Sequence, residues 1–188
     1  MTHRDPLPVS TAFSAVIRCA VTSASMLAHG RVHLPRRNIG RRLVFGDGTT
    51  GRVYRETIVD RPPPTEPCVL VVEFRLRGVG GWGHVLFRWE SLLNTPLFVG
   101  FPGFVSKLWM AHDSNGAYRG LYEWDGPHAA EQYARALWRV LALVSVPGSI
   151  DYQVLPGMRR DELLAQPSRI DPAMPVNGRE WWRLIEAA

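Results

Sequence analysis

The feature that most constrains this chain is the order in which its apolar periodicity changes between Cys68 and Gly157. Cys68-Val-Leu-Val-Val-Glu-Phe-Arg-Leu-Arg77 begins as an unbroken apolar run and ends in alternation. That is a strand with Leu70, Val72, Phe74 and Leu76 on one face and Glu73, Arg75 and Arg77 on the other. Trp82, Val85, Leu86, Trp89, Leu92 and Leu93 then recur at helical spacing, and the helix they predict stops before Pro96. Strand patterns follow over Phe104 to His112 and Ala117 to Asp125, joined by His112-Asp-Ser-Asn-Gly116, whose residues suit a hairpin loop. Pro127 opens a second helix, for which Asp125 is the expected cap, with a stripe of Ala130, Tyr133, Ala134, Leu137, Val140, Leu141 and Val144. Pro147-Gly148 ends it, and a last strand runs from Ile150 to Leu155.

Strand, helix, strand, strand, helix, strand is the split β-α-β order (βαββαβ) of a ferredoxin-like α+β sandwich, placed here over residues 68–157. Residues 1–61 read as an N-terminal extension in two pieces. Phe13, Val16, Ile17, Ala20, Ala24 and Leu27 fall near helical spacing before Gly30, and the turn cluster Gly46 to Gly51 separates two strand patterns as a β-hairpin. Arg61-Pro-Pro-Pro-Thr-Glu-Pro67 is a stiff linker. Residues 158–188 read as a tail with a short helix over Arg179 to Glu186, where Trp181 and Trp182 need cover.

A chain of 188 residues with 46% hydrophobic content and seven tryptophans can bury one core and is not disordered. Of its 22 basic residues all but Lys107 are arginine, and the net charge is +5. Eight arginines fall between Arg31 and Arg61, which allows a phosphate-binding arm, but solvated arginines are the simpler reading and nucleic acid is not the expected partner. The apolar stretch Ala12 to Ala28 holds Arg18 and four hydroxyl residues; it reads as too short and polar to span a bilayer, so the expected location is cytoplasmic. Cys19 and Cys68 match no metal-ligand spacing, and the six histidines are scattered, so no metal is expected.

The candidate chemistry centres on Lys107, which a buried-strand pattern places beside Trp109. Two readings stay open: a structural salt bridge to Glu73, or a group that polarises or anchors a ligand oxygen. Trp109, Tyr122, Trp124 and Tyr133 are either plain core or the wall of a ligand site.

The series Pro102-Gly-Phe, Lys107-Leu-Trp109, Gly120-Leu-Tyr122-Glu-Trp124 and then Ala129, Ala130 and Tyr133 resembles the mono-oxygenase branch of the dimeric α+β barrel superfamily, over about half the chain. The resemblance implies two sandwiches paired sheet to sheet as a homodimer, each with a cavity for a hydrophobic aromatic or polyketide-like compound. It also implies oxidation by molecular oxygen with no cofactor. On that basis Lys107, Arg75 and Glu73 are the catalytic candidates, with Lys107 or Arg75 stabilising a phenolate or enolate. Trp109, Tyr122, Trp124 and Tyr133 are the substrate-binding candidates. A non-catalytic dimeric binding or accessory protein is the alternative. Haem-degrading relatives use a histidine on or after the second helix, and no histidine follows His128.

Overall fold

The computed structural model describes residues 6–78, 95, 98–169 and 180–188. The helix expected over Trp82 to Leu93 lies outside these residues. The described chain runs α1 (Val9–Ala28), β1 (Val32–His33), β2 (Arg42–Phe45), β3 (Thr50–Val59), β4 (Pro67–Arg75), β5 (Phe104–Met110), β6 (Ala117–Asp125), α2 (Pro127–Val144), β7 (Asp151–Pro156), α3 (Arg160–Ala165) and β8 (Leu184–Ala187). The strands form one antiparallel sheet in the order β7-β4-β6-β5-β3-β2-β8, with β1 on β3. Its first four strands have the ferredoxin-like order, with the two outer members of the split unit beside each other and the hairpin strand β6 inserted next to β4. The fold is α+β, as the apolar periodicity predicts.

Direct cross-strand partners put their side chains on the same face. Thr57, Lys107, Tyr122, Leu70 and Val154 therefore form one row across five strands, and Arg55, Trp109, Gly120, Val72 and Tyr152 form the next. This face is covered by α2, whose Ala130, Tyr133 and Ala134 pack on Leu70, Val72, Trp109, Tyr122 and Trp124. The opposite face carries Glu56, Leu108, Leu121 and Val71 in one row, and Ser106, Glu123, Val69 and Leu155 in another. There the sheet curls: Leu43 and Phe45 of β2 and Leu184 of β8 join the same cluster as Val69 and Val71, roofed by Leu163, Leu164, Trp181 and Trp182.

Three expectations change. The hairpin is no appendage, because β3 pairs along β5 and extends the main sheet. The terminal helix is replaced by β8, which pairs with β2, because burying Trp181 and Trp182 under the curled sheet leaves Leu184 to Ala187 against an open edge. Asp125 does not cap α2; Gly126 stands at the N-cap without a side-chain bond. The Asp125 carboxylate instead accepts from the backbone N–H groups of Thr65 and Glu66, tying the proline linker to the end of β6. Those bonds, the Glu66 N–H above all, hold its carboxyl below the usual range.

Helix α1 spans 20 residues, and by length and composition alone it is long and apolar enough to cross a membrane. It seats a small-residue side, Ala12, Cys19 and Ser23, on the domain. Close approach demands a glycine at 100: a Cβ there would stand 2.3 Å from the Cys19 carbonyl oxygen. Ser23 Oγ accepts from the Gly100 N–H at 2.9 Å, and Val9, Phe13, Ile17 and Val21 face outward.

Candidate functional site: a lysine in an aromatic cage

Lys107 lies in the middle of the helix-covered face, 6% exposed. Its Nζ is 3.1 Å from the centroid of the Trp109 ring, 4.6 Å from that of Tyr122 and 4.8 Å from that of Phe98. Among the described residues no carboxylate is paired with it, and burial and Arg55 are what act on its charge. Arg55 approaches the same indole, its Cζ 5.0 Å from the Trp109 centroid, and donates to Thr95 Oγ1. Burial, and after it the Arg55 charge, holds the Lys107 ammonium well below the usual lysine range. Ring faces attract a cation, but they do not replace the lost water and counter-ion here.

Two local devices build the cage. A β-bulge in β3 sets Val53 opposite Met110 on one face and Arg55 opposite Trp109 on the other, so two residues of β3 oppose one step of β5. Without it, the alternation that sends Val53 into the opposite-face cluster would send Arg55 there too. Gly120 is the second device. A Cβ at this position would sit 2.6 Å from Tyr122 Cε2, so the missing side chain lets the Tyr122 ring lie back over β6, toward the row that holds Trp109.

Behind the cage the aromatic groups are partly tethered. Trp109 Nε1 donates to Thr57 Oγ1 at 3.1 Å, and Tyr133 of α2 donates to the Tyr122 hydroxyl at 3.3 Å. Burial raises the pKa of both phenols, so they stay neutral donors at physiological pH. Trp124, fully buried between Phe104 and Tyr133, has an indole N–H with no acceptor among the described residues. A buried orphan donor of this kind costs stability unless a ligand or water meets it.

The structure brings Lys107, Trp109, Tyr122, Trp124 and Tyr133 together and leaves Glu73 and Arg75 apart from them. The salt bridge between Lys107 and Glu73 is not formed, because the two stand on opposite faces of the sheet. Glu73 pairs with Arg119, which also binds Asp113 at 2.8 Å and Asp47 at 3.2 Å and stacks over Phe45. Burial raises the pKa of Glu73 despite Arg119. Arg75 is exposed at the end of β4. Arg55, on the strand that sequence patterning assigned to an extension, takes the place beside Lys107 that Arg75 was expected to fill. A second buried polar group lies on the opposite face. Glu56 accepts from both Asn38 Nδ2 (3.0 Å) and Arg160 Nη2 (2.7 Å), pinning α3 to the sheet.

No protein-family profile matches the sequence, and no curated protein matches it either. Among solved structures, an uncharacterized ferredoxin-fold protein of Listeria monocytogenes, related to antibiotic biosynthesis monooxygenases, is similar at 13% identity with a TM-score of 0.40. The match covers 58% of this chain and 64% of that one, so the chain spans under two thirds of the Listeria protein's length. A major regulator of staphylococcal pathogenesis is similar at 13% identity and a TM-score of 0.37, over 70% of this chain and 89% of that one.

Proposed function

We propose that this protein is a cofactor-independent, mono-oxygenase-like enzyme acting on a hydrophobic aromatic or polyketide-like small molecule. The observation that carries the reading is Lys107, an amine buried among ring faces with a cation beside it and no counter-ion among the described residues. An amine whose ammonium form is disfavoured by burial can act as a base, and reaction of an organic compound with oxygen in the absence of a cofactor begins with deprotonation to an electron-rich enolate or phenolate. Lys107 takes that proton; the resulting ammonium and the Arg55 guanidinium then flank the oxyanion in a water-poor site, where such stabilisation is strongest. Trp109, Tyr122, Trp124 and Tyr133 hold the ring, and the Trp124 N–H offers the ligand a donor. The substrate supplies the electrons: a methylene between aromatic rings gains one oxygen atom as a carbonyl, and the other leaves as water.

A homodimer built by pairing two such sheets would have to use another surface, since Leu163, Leu164, Trp181 and Trp182 already cover the sheet face away from Lys107. The test is oxygen uptake by the purified chain with anthrone and with naphthohydroquinone, alongside the thermal shift each causes. Uptake that falls at least tenfold in Lys107→Met supports the reading. A thermal shift without uptake assigns the site to ligand sequestration instead, and the absence of both effects refutes a small-molecule site of this kind.

A further inference from the structure

We infer that the Lys107 amine is also a nucleophile, forming an imine with the carbonyl of an aromatic aldehyde or ketone held against Trp109, Tyr122 and Phe98. The inference rests on the reading above that a small ligand meets Lys107, and goes beyond it in assigning a covalent step. Two arrangements make a lysine nucleophilic, an apolar enclosure and a neighbouring cation, and Lys107 has both. The titratable groups on its side of the sheet among the described residues include Arg55 and Tyr54 from β3, Cys68 from β4, Tyr118 and Tyr122 from β6, Tyr152 from β7 and Tyr133 from α2, with Glu131 of α2 accepting from the Tyr152 hydroxyl. The carboxylates of Glu56 and Glu123 point to the opposite face. No anion among the described residues pairs with Nζ, on which burial and the Arg55 charge act.

In the step itself the nitrogen lone pair adds to the carbonyl carbon and the C–O π pair moves to oxygen. The developing alkoxide lies beside the Arg55 guanidinium. Loss of the oxygen as water, with the two amine hydrogens, leaves a C=N bond and no change in oxidation state. The aromatic part of the ligand stacks on the rings that form the cage, a geometry that aliphatic aldehydes cannot exploit.

The sequence makes the test unusually clean, because Lys107 is the sole lysine and the N-terminal amine is the only other primary amine. The full chain is incubated at neutral pH with benzaldehyde and sodium cyanoborohydride, which reduces any imine to a stable benzylamine, and the site is read by intact and peptide mass spectrometry. The expected result is one benzyl group on Lys107, added at least about fivefold faster in the folded chain than in the same chain unfolded in urea. An unfolded lysine is almost wholly protonated at this pH. In Arg55→Met, shown to be folded by circular dichroism, that advantage shrinks severalfold. Label on the N-terminus alone, or on Lys107 no faster in the folded than in the unfolded chain, overturns the imine. If that happens while oxygen uptake persists in the wild type and falls in Lys107→Met, the base reading stands and only the covalent step is lost.

Discussion

Replacing Lys107 by methionine should stabilise this protein at neutral pH, the reverse of what most core substitutions do. The side chain is 6% exposed, touches three aromatic rings and meets no anion among the described residues. Methionine keeps the length and apolar stem and removes only the ammonium. Exchange of buried charged groups for apolar ones of similar volume gains about 1–4 kcal/mol, and about 1–3 is expected here because the rings return part of the desolvation cost. The sign with pH follows from linkage. The folded-state pKa of Lys107 lies below its unfolded value, so between the two the unfolded chain binds more protons and wild-type stability rises with pH, by up to about 1.4 kcal/mol per unit. Lys107→Met lacks this dependence. Urea unfolding of both proteins at pH 7 and pH 9.5 should show the variant ahead at pH 7 and the gap closing at pH 9.5. A variant less stable than wild type at pH 7, with a gap indifferent to pH, would mean that Lys107 is a satisfied structural cation and refute the reasoning.

Arg119→Met should cost about 3–5 kcal/mol in urea unfolding, because it leaves Glu73, Asp113 and Asp47 facing one another without their cation; an effect below 1 kcal/mol would show the cluster to be solvated. Gly120→Ala should cost about 1–3 kcal/mol and alter the near-ultraviolet circular dichroism, since the new methyl group displaces the Tyr122 ring; unchanged spectra would mean the ring does not lie over residue 120. Exchanging Phe13, Ile17 and Val21 together for glutamine should leave the urea midpoint of the domain nearly unchanged, about 0.5 kcal/mol or less per site, because these side chains face outward. A large loss would show that the outer face of α1 is packed.

The sequence was informative where one physical rule acted alone. Strands β4 and β6 and helix α2 announced themselves by period, and β6 and α2 by their bounds, because each has one face or stripe that must be buried. The cage was half legible. Lys107 and Trp109 two apart on a buried strand, and Gly120 two before Tyr122, mark side chains sharing a face. Which face they share depends on strand pairing, and pairing is non-local. Glu73 was expected near Lys107 because both interrupt apolar strands, yet the β5–β6–β4 register turns one to α2 and the other to Arg119. Arg55 was hidden for a different reason: a bulge inserts one residue into the alternation, and Thr-Gly-Arg-Val-Tyr-Arg-Glu-Thr carries no local sign of it. β8 was misread as a helix because Trp-Trp-Arg-Leu-Ile-Glu suits either period at that length, and only the open edge of β2 decides between them.

The central claim is that burial in an aromatic enclosure, with Arg55 beside it, holds the Lys107 ammonium well below the usual lysine range. Growth on lysine labelled with carbon-13 at Cε gives a protein with one labelled side chain, whose chemical shift can be followed by NMR from pH 6 upward. The account predicts a midpoint well below the ordinary lysine value of about 10.4, with the unfolded chain returning to it. A folded-state midpoint at or above that value would contradict the account.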